Sequence, residues 1–189
     1  MIELILACAP LVDAHTVKEV IRVESEGNPI AVNINVKKDG STFKHNPIRN
    51  KKDAIFVAKK AIQAGYNADL GYMQVNSRNL ESLGFTVDDM FHACKNLKAG
   101  SKVLHNFYTA ALKVYKDEQT ALLAALSAYN TGSFKKGFEN GYVARYTKVT
   151  YSPPKKKESL NQADSSIFSR TLKLNLDKSI DWNRQKIWR

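Results

Sequence analysis

Glu24 is the residue of this chain best placed to do acid–base chemistry. Val17, Val20 and Ile21 recur at helical spacing, and Glu24 continues their stripe at i+7, so its carboxyl is expected on the interior side of the helix. Desolvation there raises a carboxyl's pKa, and one held partly protonated near neutral pH can act as a general acid. The plainer alternative is a boundary glutamate that caps the helix or pairs with a nearby lysine. Other carboxylates near it in sequence or composition are Glu26, two residues along the same helix and facing away, and Asp69. Four His and two Cys provide no metal-ligand spacing, and no metal or cofactor is expected.

The elements that must position Glu24 are legible from punctuation and period. Residues 2–12 are predicted as a first helix and Thr16–Glu26 as a second, with Thr16 and Glu19 as a capping box and Gly27 and Pro29 as the stop. Ile30, Val32, Ile34 and Val36 alternate, Lys38–Ser41 makes a turn, and Thr42–Lys44 is the predicted return strand of a small hairpin. Ala54–Ala64 reads as a helix closed by Gly65. Tyr66–Asn76 mixes polar and apolar residues without a period, as stretches that line sites often do.

Ser77–Leu83 is a short helix ended by Gly84. Cys94, Leu97, Ser101, Leu104, Tyr108, Ala111 and Tyr115 then mark one seam of a helix of about twenty residues. Glu118–Tyr129 is dense in Ala and Leu on all sides, the pattern of a helix buried all round, and it stops at Asn130–Gly132. Tyr142–Tyr146 is a last helix or turn. Together these give a mainly α, single-domain α+β fold over residues 1–150, with Ser152–Lys157 as the boundary. Residues 151–189 are a basic tail, flexible except that Leu172, Leu174 and Leu176 alternate as an added strand would.

The net charge of +11 points to an anionic partner: nucleic acid, a lipid surface or a carboxylate-bearing wall polymer. The tail has nine Lys/Arg against four Asp/Glu, a net +5, which leaves +6 for residues 1–150, so the basicity is spread. No apolar run approaches the length of a membrane span, and Ile2–Val12 lacks the basic flank of a secretory signal. Cys8 and Cys94 fit a mature exported protein whose opening Met replaces a removed signal. They are read as a disulfide candidate, with two buried free thiols, or lipidation of Cys8, as the alternatives.

Three motifs occur in order: Glu24-Ser25-x-Gly27-x-Pro29-x-Ala31, Gly71-Tyr72-Met73-Gln74-Val75-Asn76, and Ala128-Tyr129-Asn130-Thr131-Gly132. The chain in this respect resembles the lytic transglycosylases of the goose-type lysozyme-like superfamily. Cys8-Ala-Pro, Val32-Asn33, Asp69 through Asn79 and Cys94-x-Asn96-Leu-x-Ala-Gly100 are similar to the VirB1-type enzymes of type IV secretion and conjugation systems. Tyr72 stands where Leu is usual and Ala14 where Pro is common. The tail matches no motif.

The resemblance implies a lysozyme-like fold, a location in the periplasm or cell envelope, and non-hydrolytic cleavage of peptidoglycan glycan strands at the MurNAc–GlcNAc bond, leaving 1,6-anhydro ends. Glu24 would be the acid and then the base, Ser25 and Tyr129 would orient it, and Gln74, Asn130 and the backbone around Met73 would hold the sugars. Residue types alone leave Ser25 as a helix-end hydrogen bonder and Met73 and Tyr129 as core residues. Asp69 is assigned a structural role, capping the turn before Gly71. Partners would be the glycan strands and, through the tail, other type IV secretion components; no specific nucleic acid is expected.

Two other readings differ in class. A hydrolytic muramidase needs a second carboxylate to activate water, at ~6.5–9.5 Å from the acid in inverting enzymes. A non-enzymatic basic scaffold or nucleic-acid-binding component of a transfer apparatus would use the overall charge and Lys155–Lys157, but it leaves the three motifs unexplained.

Overall fold

The computed structural model describes residues 1–147 and Pro154. The described chain is mainly helical: α1 (Ile2–Cys8), α2 (Ala14–Ser25), α3 (Lys51–Gln63), α4 (Leu80–Leu83), α5 (Ala93–Leu112), α6 (Glu118–Thr131), α7 (Lys136–Glu139) and α8 (Ala144–Thr147). Strands β1 (Val32–Ile34), β2 (Ala68–Leu70) and β3 (Val75–Asn76) form an antiparallel sheet in that order. It divides into two compact units. Among the described residues, the first holds residues 1–10 and 14–101 and the second residues 11–13 and 102–147, so the division falls within α5.

In the first unit, α1 ends at Cys8, four residues before the predicted end, because Pro10 disfavours helical backbone in the residue before it. α2 begins at Ala14, ahead of the predicted capping box. Thr16 is therefore a buried residue of the first helical turn and not its cap. Val17, Val20, Ile21 and Val23 bury the apolar face of α2, as the stripe requires. α3 is capped reciprocally, with Asp53 N–H donating to Asn50 Oδ1 at 3.0 Å and Arg49 N–H donating to the Asp53 carboxylate at 3.0 Å.

The sheet differs from the predicted hairpin. The turn at Lys37–Ser41 forms, with Lys37 N–H donating to Ser41 O at 3.1 Å, but Thr42–Lys44 is not a strand. β1 pairs instead with β2, placing Val32 opposite Leu70, Asn33 opposite Asp69 and Ile34 opposite Ala68. The hairpin of this fold is β2–β3, and Gly71–Gln74 is its tip. Cys8 and Cys94 are joined in a disulfide that ties the end of α1 to the first turn of α5.

In the second unit, every residue from Ala121 to Ala128 of α6 is buried, as its uniform Ala/Leu composition predicts. Gly132 ends the helix in left-handed backbone, φ 70°. α7 packs closely on α6. Ser127 Oγ donates to Ser133 O at 2.6 Å and accepts from Gly137 N–H at 2.8 Å, and a Cβ on Gly137 would lie 2.6 Å from Ser127 Cα. The expectations for the basic tail lie outside the described residues.

Candidate active site

Glu24 is half-buried in the last turn of α2, and the chain leaves the helix just beyond it through two left-handed residues, Glu26 (φ 53°) and Gly27 (φ 83°). Glu26 is exposed. A half-buried carboxylate in the last turn of a helix, beside the buried stripe of Val17, Val20 and Ile21, is partly desolvated yet reachable. Ser25 ties this end to the β2–β3 tip: its Oγ donates to Tyr72 O at 2.7 Å, and Ile21 O lies farther off at 3.2 Å. The shorter contact bridges 47 residues of sequence and fixes Tyr72 beside the glutamate's own helical turn.

The tip itself is held from inside. Gly71 has φ 71°, and a Cβ there would lie 2.3 Å from Met90 O and 2.4 Å from Asn96 Nδ2, so only glycine fits. Asn96 is 1% exposed and uses its whole amide: Oδ1 accepts from Met73 N–H at 2.9 Å, and Nδ2 donates to Leu70 O at 2.8 Å and Met90 O at 3.0 Å. One turn further along α5, Gly100 lies under Met73, where a Cβ would come within 2.6 Å of Met73 Cβ. Met73 is fully buried. Ahead of α5, the Asp89 carboxylate accepts from Lys95 Nζ and from the Thr86 N–H and hydroxyl. Chiefly through the lysine, these lower its pKa to about 2.

Gln74 adopts left-handed backbone without being glycine, φ 45°. Its side-chain amide compensates, with Nε2 donating to Gly71 O at 2.9 Å and to Ala31 O at 3.3 Å; Gly71 N–H also reaches Ala31 O at 2.8 Å. Asp69 does not cap the turn before Gly71. Its carboxylate accepts from the side-chain amides of Asn33 (3.3 Å), Asn35 (3.0 Å) and Asn76 (2.6 Å), clamping all three strands from the middle one. In the second unit, Tyr129 is half-buried and Asn130 exposed in the last turn of α6, and Thr131 Oγ1 donates to Ser127 O at 2.7 Å.

The transglycosylase SLT family profile matches residues 4–151, the greater part of the chain. The chain belongs to the transglycosylase SLT domain family. It is 37% identical over 138 residues to Protein virB1 of Agrobacterium fabrum, a match covering 73% of this chain and 54% of that protein. The Rhizobium radiobacter Protein virB1 is 36% identical over 138 residues, covering 73% of this chain and 55% of its own. The type IV secretion system protein virB1 of Brucella suis is 40% identical over 133 residues, 70% of this chain and 54% of that one. The chain thus spans about half the length of the curated relatives it matches. No solved structure gives a significant match.

Within the SLT domain, Glu24, Ser25 and the Gly71–Gln74 tip are brought together in the first unit, while Tyr129 and Asn130 are neighbours in the second. Met73 sits in the core, the alternative that its residue type allowed. Asn96 and Asn35 carry positioning roles that sequence reasoning did not assign. The available signal was Asn96 standing beside the seam residue Leu97 and four residues before Gly100, where a buried amide must find partners.

Proposed function

We propose that this SLT domain cleaves the β-1,4 bond between MurNAc and GlcNAc in peptidoglycan without water. Glu24 protonates the departing glycosidic oxygen as the C1–O bond breaks. The substrate's own acetamido group stabilises the cation at C1. The Glu24 carboxylate then takes the proton of the C6 hydroxyl as its oxygen closes on C1, and the product ends in 1,6-anhydro-MurNAc. Ser25 and Tyr129 orient the acid, and Gln74, Asn130 and the tip around Met73 hold the sugars. The Gln74 Nε2 hydrogens are engaged on backbone carbonyls, which leaves Oε1 as the atom for a sugar N–H or hydroxyl.

The observation that carries this reading is the commitment of the neighbouring carboxylates. Asp69 is half-buried but engaged by three side-chain amides and Glu26 is exposed on left-handed backbone, whereas Glu24 is half-buried in the helical turn that Ser25 ties to the tip. If Glu24 acts as the only catalytic carboxylate, water has no base on the opposite face of the ring, and the C6 hydroxyl has the advantage of being tethered to the reacting sugar. By likeness to the virB1 proteins, the domain would open the wall for a type IV secretion or conjugation apparatus, working in the periplasm or envelope, with its tail recruiting other components. Among the described residues, no helix is long and apolar enough to cross a membrane.

Mass spectrometry of fragments released from purified cell walls tests it. Anhydro ends, one water lighter than reducing ends, are expected. Reducing-end muramic acid as the main product would replace the transglycosylase with a hydrolase.

A further inference from the structure

The exposed face of α3 carries Lys52, Phe56 and Lys60 at i, i+4 and i+8, one stripe on which a bare aromatic ring stands between two cations. Phe56 is 63% exposed, unusual for a large apolar side chain, and Lys60 Nζ lies 6.0 Å from its ring centre. The segment before α3 supplies the opposite wall of a groove of about 1450 Å³, adding Phe43, Lys44 and Arg49. No described carboxylate lies in ion-pair range of Lys44, Arg49, Lys52 or Lys60. The acidic residue lining the groove, Asp53, has its carboxylate engaged in capping α3.

We infer that this groove docks an extended acidic segment of a partner protein, an apolar side chain against Phe56 flanked by carboxylates toward Lys52 and Lys60. Helical rise separates those two lysines by about 12 Å along the axis, a distance that about four residues of extended chain span. Four exposed cations with no carboxylate in ion-pair range among the described residues favour an anionic occupant. The basic tail and a second copy of this +11 chain both have the wrong sign. A single-stranded nucleic acid wants a run of rings on which successive bases stack. Here Phe43 is instead packed edge-on to Tyr66, centroids 5.5 Å apart, which leaves one ring, suited to one apolar anchor.

The test is fluorescence anisotropy on the full chain with a short labelled peptide of alternating glutamate and leucine, against a lysine–leucine counterpart and a labelled oligothymidylate. The wild-type protein is expected to prefer the acidic peptide. Binding should weaken about tenfold or more in Lys52→Glu/Lys60→Glu, and again in Phe56→Ala, as loss of paired charges and of a central anchor does. All three side chains are exposed, so both variants should keep wild-type melting and wall cleavage. Failure of the wild type to bind the acidic peptide, or binding unchanged in both variants, overturns the inference. Tighter binding of oligothymidylate overturns it in favour of a nucleic-acid site.

Discussion

The Met73 N–H donates to Asn96 Oδ1 at 2.9 Å across 23 residues of sequence, a buried bond that links α5 to the loop facing Glu24's turn. The relay runs from Asn96 to Met73 N–H, from the adjoining Tyr72 carbonyl to Ser25 Oγ, and so to the peptide next to Glu24. Asn96→Ala would orphan three buried backbone groups and should cost about 3–5 kcal/mol. The folded fraction should also cleave cell wall more slowly than wild type. Thermal melts and wall-cleavage rates read both, and a variant with lowered melting temperature but full activity per folded molecule would deny Asn96 a positioning role.

Glu24→Gln keeps size and hydrogen-bonding shape but removes the transferable proton. Wall cleavage should be abolished, with circular dichroism and melting temperature close to wild type. Retained activity would take Glu24 out of the mechanism.

Asp69→Asn replaces one acceptor oxygen with a donor facing three amides. The sheet should lose about 1–3 kcal/mol, while activity per folded molecule falls only modestly. A stable but inactive variant would instead mark Asp69 as the second carboxylate of a hydrolase.

The Cys8–Cys94 bond closes a loop over a separation of 86 residues, for which chain entropy gives about 4–5 kcal/mol of stabilisation. Reduction, or Cys8→Ser/Cys94→Ser, should lower the denaturant midpoint accordingly. Alkylation of protein from an oxidising compartment should find both thiols blocked until reductant is added.

Asp89 supplies a pH dependence. Its pKa is depressed in the folded state, to about 2, so its contribution is present above the unfolded value near 4 and is lost as pH falls through the folded one. Stability measured by urea unfolding should decline between about pH 4 and pH 2. Asp89→Asn should flatten that part of the profile and lower stability at neutral pH.

Local chemistry made much of this protein legible in advance. The stripe of α2 placed Glu24, glycines marked the ends of α3, α4 and α6, and the Ala/Leu density of α6 gave its burial, because helix period and termination depend on neighbours within a few residues. Pairing across long separations was decided elsewhere. β1 had a plausible return strand ten residues away, yet it joined Ala68–Leu70, where Asp69 could gather amides from Asn33, Asn35 and Asn76 while Phe43 packed on Tyr66. Residue types left Cys8 and Cys94 open between disulfide and free thiols; only the packing of α1 near α5 brought their Cα atoms to 5.1 Å. Asn96 was a polar residue beside a mostly apolar seam until the fold put two carbonyls and an N–H around it. A buried amide's partners are set by tertiary contacts, which no spacing along the chain encodes.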